Sequence, residues 1–314
     1  MVETSEMSRK HIYGPVPSRR LGRSLGVDLV PMKVCTYDCI YCQLGRTATL
    51  TAERAEYIPA GEVIADIAEW LQRDGQADYI TLSGSGEPTL HSGIATIVSA
   101  IQAMTTIPCA ILTNGSLLWV DEVAEACADA DLVLPSLDAA DSETFKRINR
   151  PHPSITFDLM LSGLRNLADR AVSPLWLEVM VVKGENDSPE HVAKMRGLLQ
   201  RLAPSRVQLN TVVRPPAEVG VEPVSLDRLR EIAAELPGAE VVAQYHTEAV
   251  RHSRSDLGSA ILGLLARRPC TSRDIAEGLG VHENEVLNQL DSLLMLGLVS
   301  TVQQDGGTFY RNTK

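Results

Sequence analysis

The feature that most constrains the fold of this chain is a regular alternation of short apolar runs with longer amphipathic segments. Residues 61–75, for example, place Val63, Ile67 and Trp70 three or four positions apart, which is the spacing of one face of a helix. Strands that alternate with helices of this length pair in parallel through right-handed crossovers. Six such units predict an α/β fold, a partial (β/α)6 TIM-like barrel rather than a closed eight-stranded one.

The predicted strands occupy residues 27–30, 77–88, 107–113, 131–137, 175–182 and 207–213. The predicted helices occupy residues 61–75, 91–104, 121–128, 157–168, 188–202 and 225–236. Ser188 is predicted to cap its helix, with Pro189 at the first helical position. Residues 1–9 are interpreted as a disordered start, and the Gly-, Pro- and Arg-containing stretch up to residue 26 as a loop that leads into the first strand.

The strand-helix alternation ends near residue 245. We assign residues 1–245 to the barrel, the charged stretch 246–256 to a linker and residues 257–314 to a small C-terminal domain. That domain has predicted helices at 257–267, 272–279 and 282–296, then strands at 298–302 and 308–311 around a Gly-Gly turn. Three helices and a hairpin predict a winged helix-turn-helix, with Thr271 or Ser272 capping its second helix.

Three of the six cysteines, Cys35, Cys39 and Cys42, stand at C-x3-C-x2-C spacing behind the first predicted strand. Thiolates this close together favour an iron-sulfur cluster. A structural zinc site would need a fourth ligand, and no other Cys or His lies near the triplet. A disulfide framework is typical of short secreted chains, and this sequence lacks an N-terminal apolar signal segment. Each of the other cysteines, Cys109, Cys127 and Cys270, lies alone in an apolar or helical stretch and is predicted to pack in the core.

Polar segments follow all six predicted strands. They are the cysteine loop, GSGEPTL, ILTNGSLL, PSLDAAD, VVKGEND and NTVVRPP. Ligands of parallel α/β sheets bind beyond the carboxyl ends of the strands, so we expect these segments to meet at one mouth.

The triplet with Tyr41, together with GSGEPTL at residues 84–90, resembles the radical S-adenosylmethionine (SAM) superfamily. With GPVPSRRLG, TNGSLL and LNTVVRPP, residues 12–216 resemble a branch related to the wyosine-tRNA synthetases. The resemblance implies a 4Fe-4S cluster on the three cysteines, with SAM bound at the iron that no cysteine holds. It also implies reductive cleavage of SAM to a 5′-deoxyadenosyl radical that abstracts hydrogen from a substrate, with electrons from a flavodoxin- or ferredoxin-like donor.

The resemblance also assigns cofactor contacts. It places the SAM methionine group at the loop formed by Gly84, Ser85, Gly86, Glu87 and Pro88, with Ser85 where the family has a glycine. Tyr41 would lie against the adenine or pack the cluster loop. Asn114, Ser136 and Asp138 would contact the ribose or form turns.

Candidate substrate contacts are less specific. The catalytic candidates are Lys183, as a Schiff-base amine, and Arg19 and Arg20, which with Arg23 form a compact basic cluster suited to a phosphate or carboxylate. Strand-end residues Asn186, Asn210 and Arg214 are further candidates. No cysteine precedes Cys35, whereas wyosine synthetases hold a second cluster there; we therefore expect the superfamily reaction and not their tricyclic-base chemistry.

Composition limits the remaining alternatives. A net charge of -11 argues against a nucleic-acid footprint over the whole molecule, and no apolar run reaches membrane-spanning length, so we expect a cytoplasmic protein without a membrane partner. The predicted recognition helix carries Glu283, Glu285 and Asp291 and no Lys or Arg, which argues against DNA as a partner and favours a docking or dimerisation role.

Two alternatives stay open: a radical SAM enzyme that modifies tRNA or another RNA, with protein as the other substrate class, and an iron-sulfur-sensing winged-helix regulator. The RNA hypothesis predicts salt-dependent retention of the protein on immobilised RNA, because phosphate contacts by Arg19 and Arg20 release counterions. The double variant Arg19→Ala, Arg20→Ala should lose that retention. Retention that does not change with salt would contradict the hypothesis.

Overall fold

A computed structural model describes residues 11–18, 20–73, 75–170, 175–242, 257–281, 283–304 and 307–313. The predicted disordered start, the predicted linker at 246–256 and the candidate residue Arg19 lie outside the described residues.

The first half of the chain contains β1 (Ile12–Ser18), β2 (Gly22–Val27), β3 (Val34–Cys35), β4 (Thr49–Leu50), α1 (Ala60–Arg73), β5 (Tyr79–Leu82), α2 (Ile94–Met104), β6 (Cys109–Thr113), α3 (Asp121–Ala128), β7 (Leu132–Pro135) and α4 (Ser142–Ile148). The second half contains α5 (Phe157–Arg170), β8 (Trp176–Val181), α6 (Pro189–Leu202), β9 (Arg206–Thr211), α7 (Leu226–Glu235), β10 (Ala239–Val241), α8 (Leu257–Leu265), α9 (Ser272–Leu279), α10 (Glu283–Met295), β11 (Val299–Gln304) and β12 (Gly307–Asn312).

The strands form an α/β fold built on parallel pairing. One sheet has the order β1-β2-β5-β6-β7, in which all pairs except β1-β2 are parallel, and a second parallel sheet has the order β8-β9-β10. A parallel bridge between Ser136 and Glu178 joins the two sheets. The predicted strand-helix alternation is therefore confirmed, and the strand ends that precede the predicted site face one direction.

The prediction of a loop over residues 12–26 is wrong, because β1 and β2 form an antiparallel hairpin there. The register shifts between Tyr13 and Val16, where Gly14 has a φ of +92°. Glycine and proline weaken a strand signal in the sequence, but both are tolerated in an edge strand such as β1, especially at a bulge. The sequence also did not predict α4, which Asp141 caps by accepting a hydrogen bond from the Thr144 backbone N–H.

The predicted apolar face of α1 is buried in the main core. Val63, Ile67 and Trp70 are all fully buried there, and α1 packs against α2 and β1. Caps also follow the prediction: Ser188 accepts from the His191 N–H at the start of α6, and Thr271 forms a capping box with Asp274 at the start of α9. The apolar spacing of α1 and the capping residues of α6 and α9 therefore have the structural roles that the sequence predicts.

The C-terminal residues form α8, α9 and α10 followed by the β11-β12 hairpin, in the predicted order. Their core is continuous with the edge of the main sheet, since Val16 of β1 packs in one cluster with Ile261, Leu264 and Ile275. The C-terminal helices are thus packed against the β1-β2 hairpin, which the sequence did not predict.

Among the helices of the described residues, none combines the length and the apolar character that a membrane span requires.

Replacing Trp70 by Ala should lower the free energy of unfolding by about 3–5 kcal/mol, because the fully buried indole would leave a cavity in the main core. Trp119→Ala is the matched control, since Trp119 is 42% exposed. Urea unfolding followed by circular dichroism measures both variants. Equal losses in the two would contradict this description of the core.

Candidate active site

One cavity of about 370 Å³ lies at the carboxyl ends of the parallel strands. Its lining contains most of the predicted site residues: Cys35, Cys39, Cys42, Tyr41, Gly84, Ser85, Gly86, Glu87, Asn114, Ser136, Arg20, Asn210 and Arg214. Pro88 and Asp138 are buried and are not among the lining residues. The fold therefore brings the loops after β2, β5, β6 and β7 to one place.

The entrance of the cysteine loop is joined to the loop after β5 by backbone hydrogen bonds. The Lys33 N–H donates to the Ser85 carbonyl at 2.6 Å, and the Glu87 N–H donates to the Val34 carbonyl at 3.2 Å. Gly86 lies between these bonds, and a Cβ atom there would meet the Val34 oxygen at 1.9 Å. Only glycine permits this approach of the two chains.

The Asp28 carboxylate also holds the loop after β5. Its Oδ1 atom accepts from the backbone N–H of Ser85 at 2.9 Å and from the Ser85 hydroxyl at 2.8 Å. Gly84 has a φ of +109°, and a Cβ atom there would lie 2.2 Å from that Oδ1. Asp28 is not among the predicted site residues, and its signal in the sequence is a carboxylate directly after an apolar strand.

Glu87 is buried, and its carboxylate is surrounded by donors of the chain. Oε1 accepts from the hydroxyls of Thr89 and Thr113, both at 2.6 Å, and from the Thr89 N–H at 3.0 Å. Oε2 accepts from the Asn114 N–H at 2.8 Å. Burial raises the pKa of Glu87, while these hydrogen bonds oppose the shift. The carboxylate thus joins the ends of β5 and β6.

Two asparagines contact cysteine thiols. Asn114 Nδ2 lies 3.7 Å from the Cys35 sulfur and 2.7 Å from the Thr36 hydroxyl, and Asn149 Nδ2 lies 3.6 Å from the Cys39 sulfur. Burial raises the pKa of all three thiols of the triplet, to about 12 for Cys35. N–H groups directed at sulfur stabilise the thiolate, which is the form that ligates iron. Asn149 follows α4, the helix that the sequence did not predict.

Tyr41 and Asp138 form one unit beside Cys39. The Tyr41 hydroxyl donates to Asp138 Oδ2, which also accepts from Asn149 Nδ2 at 2.8 Å. Oδ1 of Asp138 accepts from the Met180 N–H at 2.9 Å. Burial raises the pKa of Asp138 to about 6, against the lowering by these donors. Asp138 therefore orients Tyr41 and Asn149, the latter a contact of Cys39.

The substrate candidates separate into two groups. Arg20 lines the cavity and pairs with Glu178 of β8, whose other oxygen accepts from Asn210 at 3.3 Å. Lys183 is not among the lining residues; its ammonium lies 2.6 Å from Glu222 on an exposed surface. Asn186 is buried and accepts from the Val182 N–H at 2.7 Å, an arrangement that holds the loop after β8.

The residues of the triplet fit an iron-sulfur cluster. Their thiols line one cavity, and two of them receive N–H contacts of the kind that support cluster ligation. Within the described residues, no group of three Cys, His, Asp or Glu side chains could hold a single metal ion. A cubane cluster offers a different iron atom to each thiolate, so its ligands need not converge on one point as zinc ligands do.

The chain is similar in sequence to a known superfamily and to individual proteins. The profile of the Radical SAM superfamily matches residues 29–195. A UPF0026 protein from Methanocaldococcus jannaschii is 31% identical over 306 residues, which cover 95% of this chain and 94% of that protein. A Brachyspira hyodysenteriae protein named GTPase Obg is 35% identical over 305 residues, which cover 94% of this chain and 44% of that protein.

Two solved structures share the fold. A radical SAM methyltransferase from Sphaerobacter thermophilus is similar with a TM-score of 0.52 at 19% identity, over 69% of this chain and 65% of that one. Streptococcus suis SuiB bound to the precursor peptide SuiA is similar with a TM-score of 0.54 at 16% identity, over 73% of this chain and 53% of that one.

Gly86→Ala should lower the free energy of unfolding by about 1–3 kcal/mol, because the added methyl group overlaps the Val34 oxygen and separates the two joined loops. Gly197→Ala in α6 is the control, since nothing lies within 4 Å of a Cβ atom there and alanine favours a helix. Urea unfolding, with hydrogen exchange at the Lys33 and Glu87 amides, measures the effect. Unchanged amide protection in Gly86→Ala would contradict the proposed junction.

Proposed function

The chain belongs to the radical SAM superfamily, and from this premise we propose that it reductively cleaves S-adenosylmethionine at a 4Fe-4S cluster. The chain is accordingly an enzyme of that superfamily. The observation that carries the proposal is the pair of backbone hydrogen bonds between the cysteine loop and the GSGEP loop, which holds the proposed cluster ligands next to the proposed SAM loop.

Cys35, Cys39 and Cys42 would hold the cluster, and Gly84 to Pro88 would hold the methionine end of SAM. Bound there and reduced, a cluster would supply one electron to SAM, so that its sulfur–C5′ bond would break to methionine and a 5′-deoxyadenosyl radical for hydrogen abstraction from the substrate.

The chain itself supplies position and exclusion of water. Glu87 is occupied by four donors, so we assign it to loop geometry and leave the SAM ammonium to backbone carbonyls of the loop. Tyr41 lines the cavity with its hydroxyl held by Asp138, which leaves its ring as a candidate surface for the adenine. Asn114 and Ser136 line the cavity and remain the candidate ribose contacts.

The finer assignments follow from the same proposal. We propose a partial (β/α)6 barrel over residues 1–245 and a winged-helix domain over residues 257–314. A flavodoxin- or ferredoxin-like protein would donate the electron. The relation to wyosine-tRNA synthetases stays a prediction. DNA is not a proposed partner, since α10 carries Glu283, Glu285 and Asp291 and no basic residue.

Anaerobic reconstitution with iron and sulfide, then reduction in the presence of SAM, should give 5′-deoxyadenosine. In Cys39→Ala both the cluster absorbance and the product should be lost, because one of three thiolate ligands is missing. Chromatography of the nucleoside and the visible spectrum measure the two effects.

Cys127→Ala is the matched control for this substitution. Cys127 is buried in the core cluster with α3 and lies outside the cavity lining, so the cluster and the product should both persist. Intact cluster absorbance without any 5′-deoxyadenosine in the unmodified protein would refute the proposed reaction.

A further inference from the structure

Two arginines of the C-terminal domain line the cavity that contains the cysteine triplet. Arg267 and Arg268 lie in the turn that follows α8, where both backbone N–H groups donate to the Leu264 carbonyl. They reach the cavity because this part of the chain packs against β1. Neither arginine is among the site residues that the sequence predicts. The lining shows that the site is completed by both parts of the chain.

Arg267 is engaged in holding the two parts together. Its Nε donates to Asp28 Oδ2 at 2.9 Å, and Nη1 donates to the Gly263 carbonyl at 2.8 Å. The guanidinium also lies over the Tyr13 ring at 4.5 Å from the centroid. Since the other oxygen of Asp28 holds Ser85, Arg267 is a positioning residue for the loop after β5.

Arg268 differs from its neighbour in its partners. Its side chain is partly buried beside the Cys270 thiol, with Tyr13 and Asp274 nearby, and among the described residues it forms no ion pair with a carboxylate. The Asp274 carboxylate instead accepts from the Thr271 N–H at 3.0 Å in the capping box of α9. A guanidinium keeps its charge at all ordinary pH values, so within the part of the chain that the structure describes this partly desolvated cation has no carboxylate in an ion pair with it.

The cavity as a whole is also rich in basic side chains. The basic lining residues are Arg20, Lys33, Arg214, Arg267 and Arg268, and the acidic ones are Glu87 and Glu178. Glu178 pairs with Arg20, and four chain donors occupy Glu87, so neither compensates Arg268. This excess contrasts with the net charge of -11 of the whole chain.

We propose that Arg268 binds an oxyanion of the substrate, a phosphate or a carboxylate, at the edge of the cavity, and that the substrate is therefore an anionic molecule. The planar guanidinium donates paired hydrogen bonds to such groups. The inference rests on the proposed function for the statement that this cavity is the active site. The C-terminal domain thereby contributes a substrate contact to the site.

Binding of inorganic pyrophosphate and of succinate to the reconstituted protein, measured by calorimetry at low ionic strength, tests the proposal. Arg268→Gln should bind the preferred probe about tenfold more weakly, the loss expected for a charge-assisted pair of hydrogen bonds. Pyrophosphate and succinate distinguish a phosphate from a carboxylate ligand. No reductant is present, so this result is independent of whether the protein forms 5′-deoxyadenosine.

Arg273→Gln is the matched control, because Arg273 of α9 is 61% exposed in its pair with Glu277 and should leave binding unchanged. Arg268→Lys keeps the charge but loses the planar pair of donors, so it should bind the preferred probe about threefold more weakly. This variant tests the proposal if Arg268→Gln does not fold. Affinities equal to the unmodified protein in both Arg268 variants, or no binding of either probe, would overturn the proposal.

One further measurement tests whether Arg268 binds the substrate or the cofactor. SAM carries a carboxylate of its own, so equilibrium dialysis of SAM against the reconstituted Arg268→Gln protein is needed. SAM affinity equal to that of the unmodified protein is expected. A loss of SAM affinity that matches the loss of probe affinity would assign Arg268 to the cofactor and overturn the substrate assignment.

Discussion

The candidate site depends on the contact between two backbone segments that are about fifty residues apart. The hydrogen bonds from Lys33 to Ser85 and from Glu87 to Val34 leave no space for a side chain at Gly86. The contact fixes the position of the cysteine loop relative to the strand ends, because Cys35 follows Val34 directly. The side-chain arrangements of the cavity are built outward from this junction.

Buried polar side chains maintain the junction. Asp28 and Glu87 each accept several hydrogen bonds from the loops that they join, and Asp138 does the same for Tyr41 and Asn149. A carboxylate without donors would be costly in such surroundings, whereas one that is fully hydrogen-bonded specifies a single arrangement of the loops around it. These residues orient the loops and side chains around the proposed cluster and cofactor sites.

The C-terminal domain is connected to the same network. Arg267 pairs with the oxygen of Asp28 that Ser85 does not use, and Val16 places the edge strand β1 in the core of the C-terminal domain. Removal or displacement of that domain would leave Asp28 without its cationic partner. The loop after β5 is thereby physically linked to a segment that lies more than 150 residues later in the sequence.

The sequence by itself determined the parallel α/β fold, most helices, the caps of α6 and α9, the cysteine triplet and the superfamily. These features depend on periodicity and short spacing, which are local properties of the chain. Only the tertiary structure decided that β1 and β2 form a hairpin and that donors of the chain itself occupy Glu87. It also decided that Lys183 is not a lining residue of the cavity, whereas Arg267 and Arg268 are. Each of these outcomes depends on contacts between distant segments, and a residue's type does not reveal which partner folding brings to it.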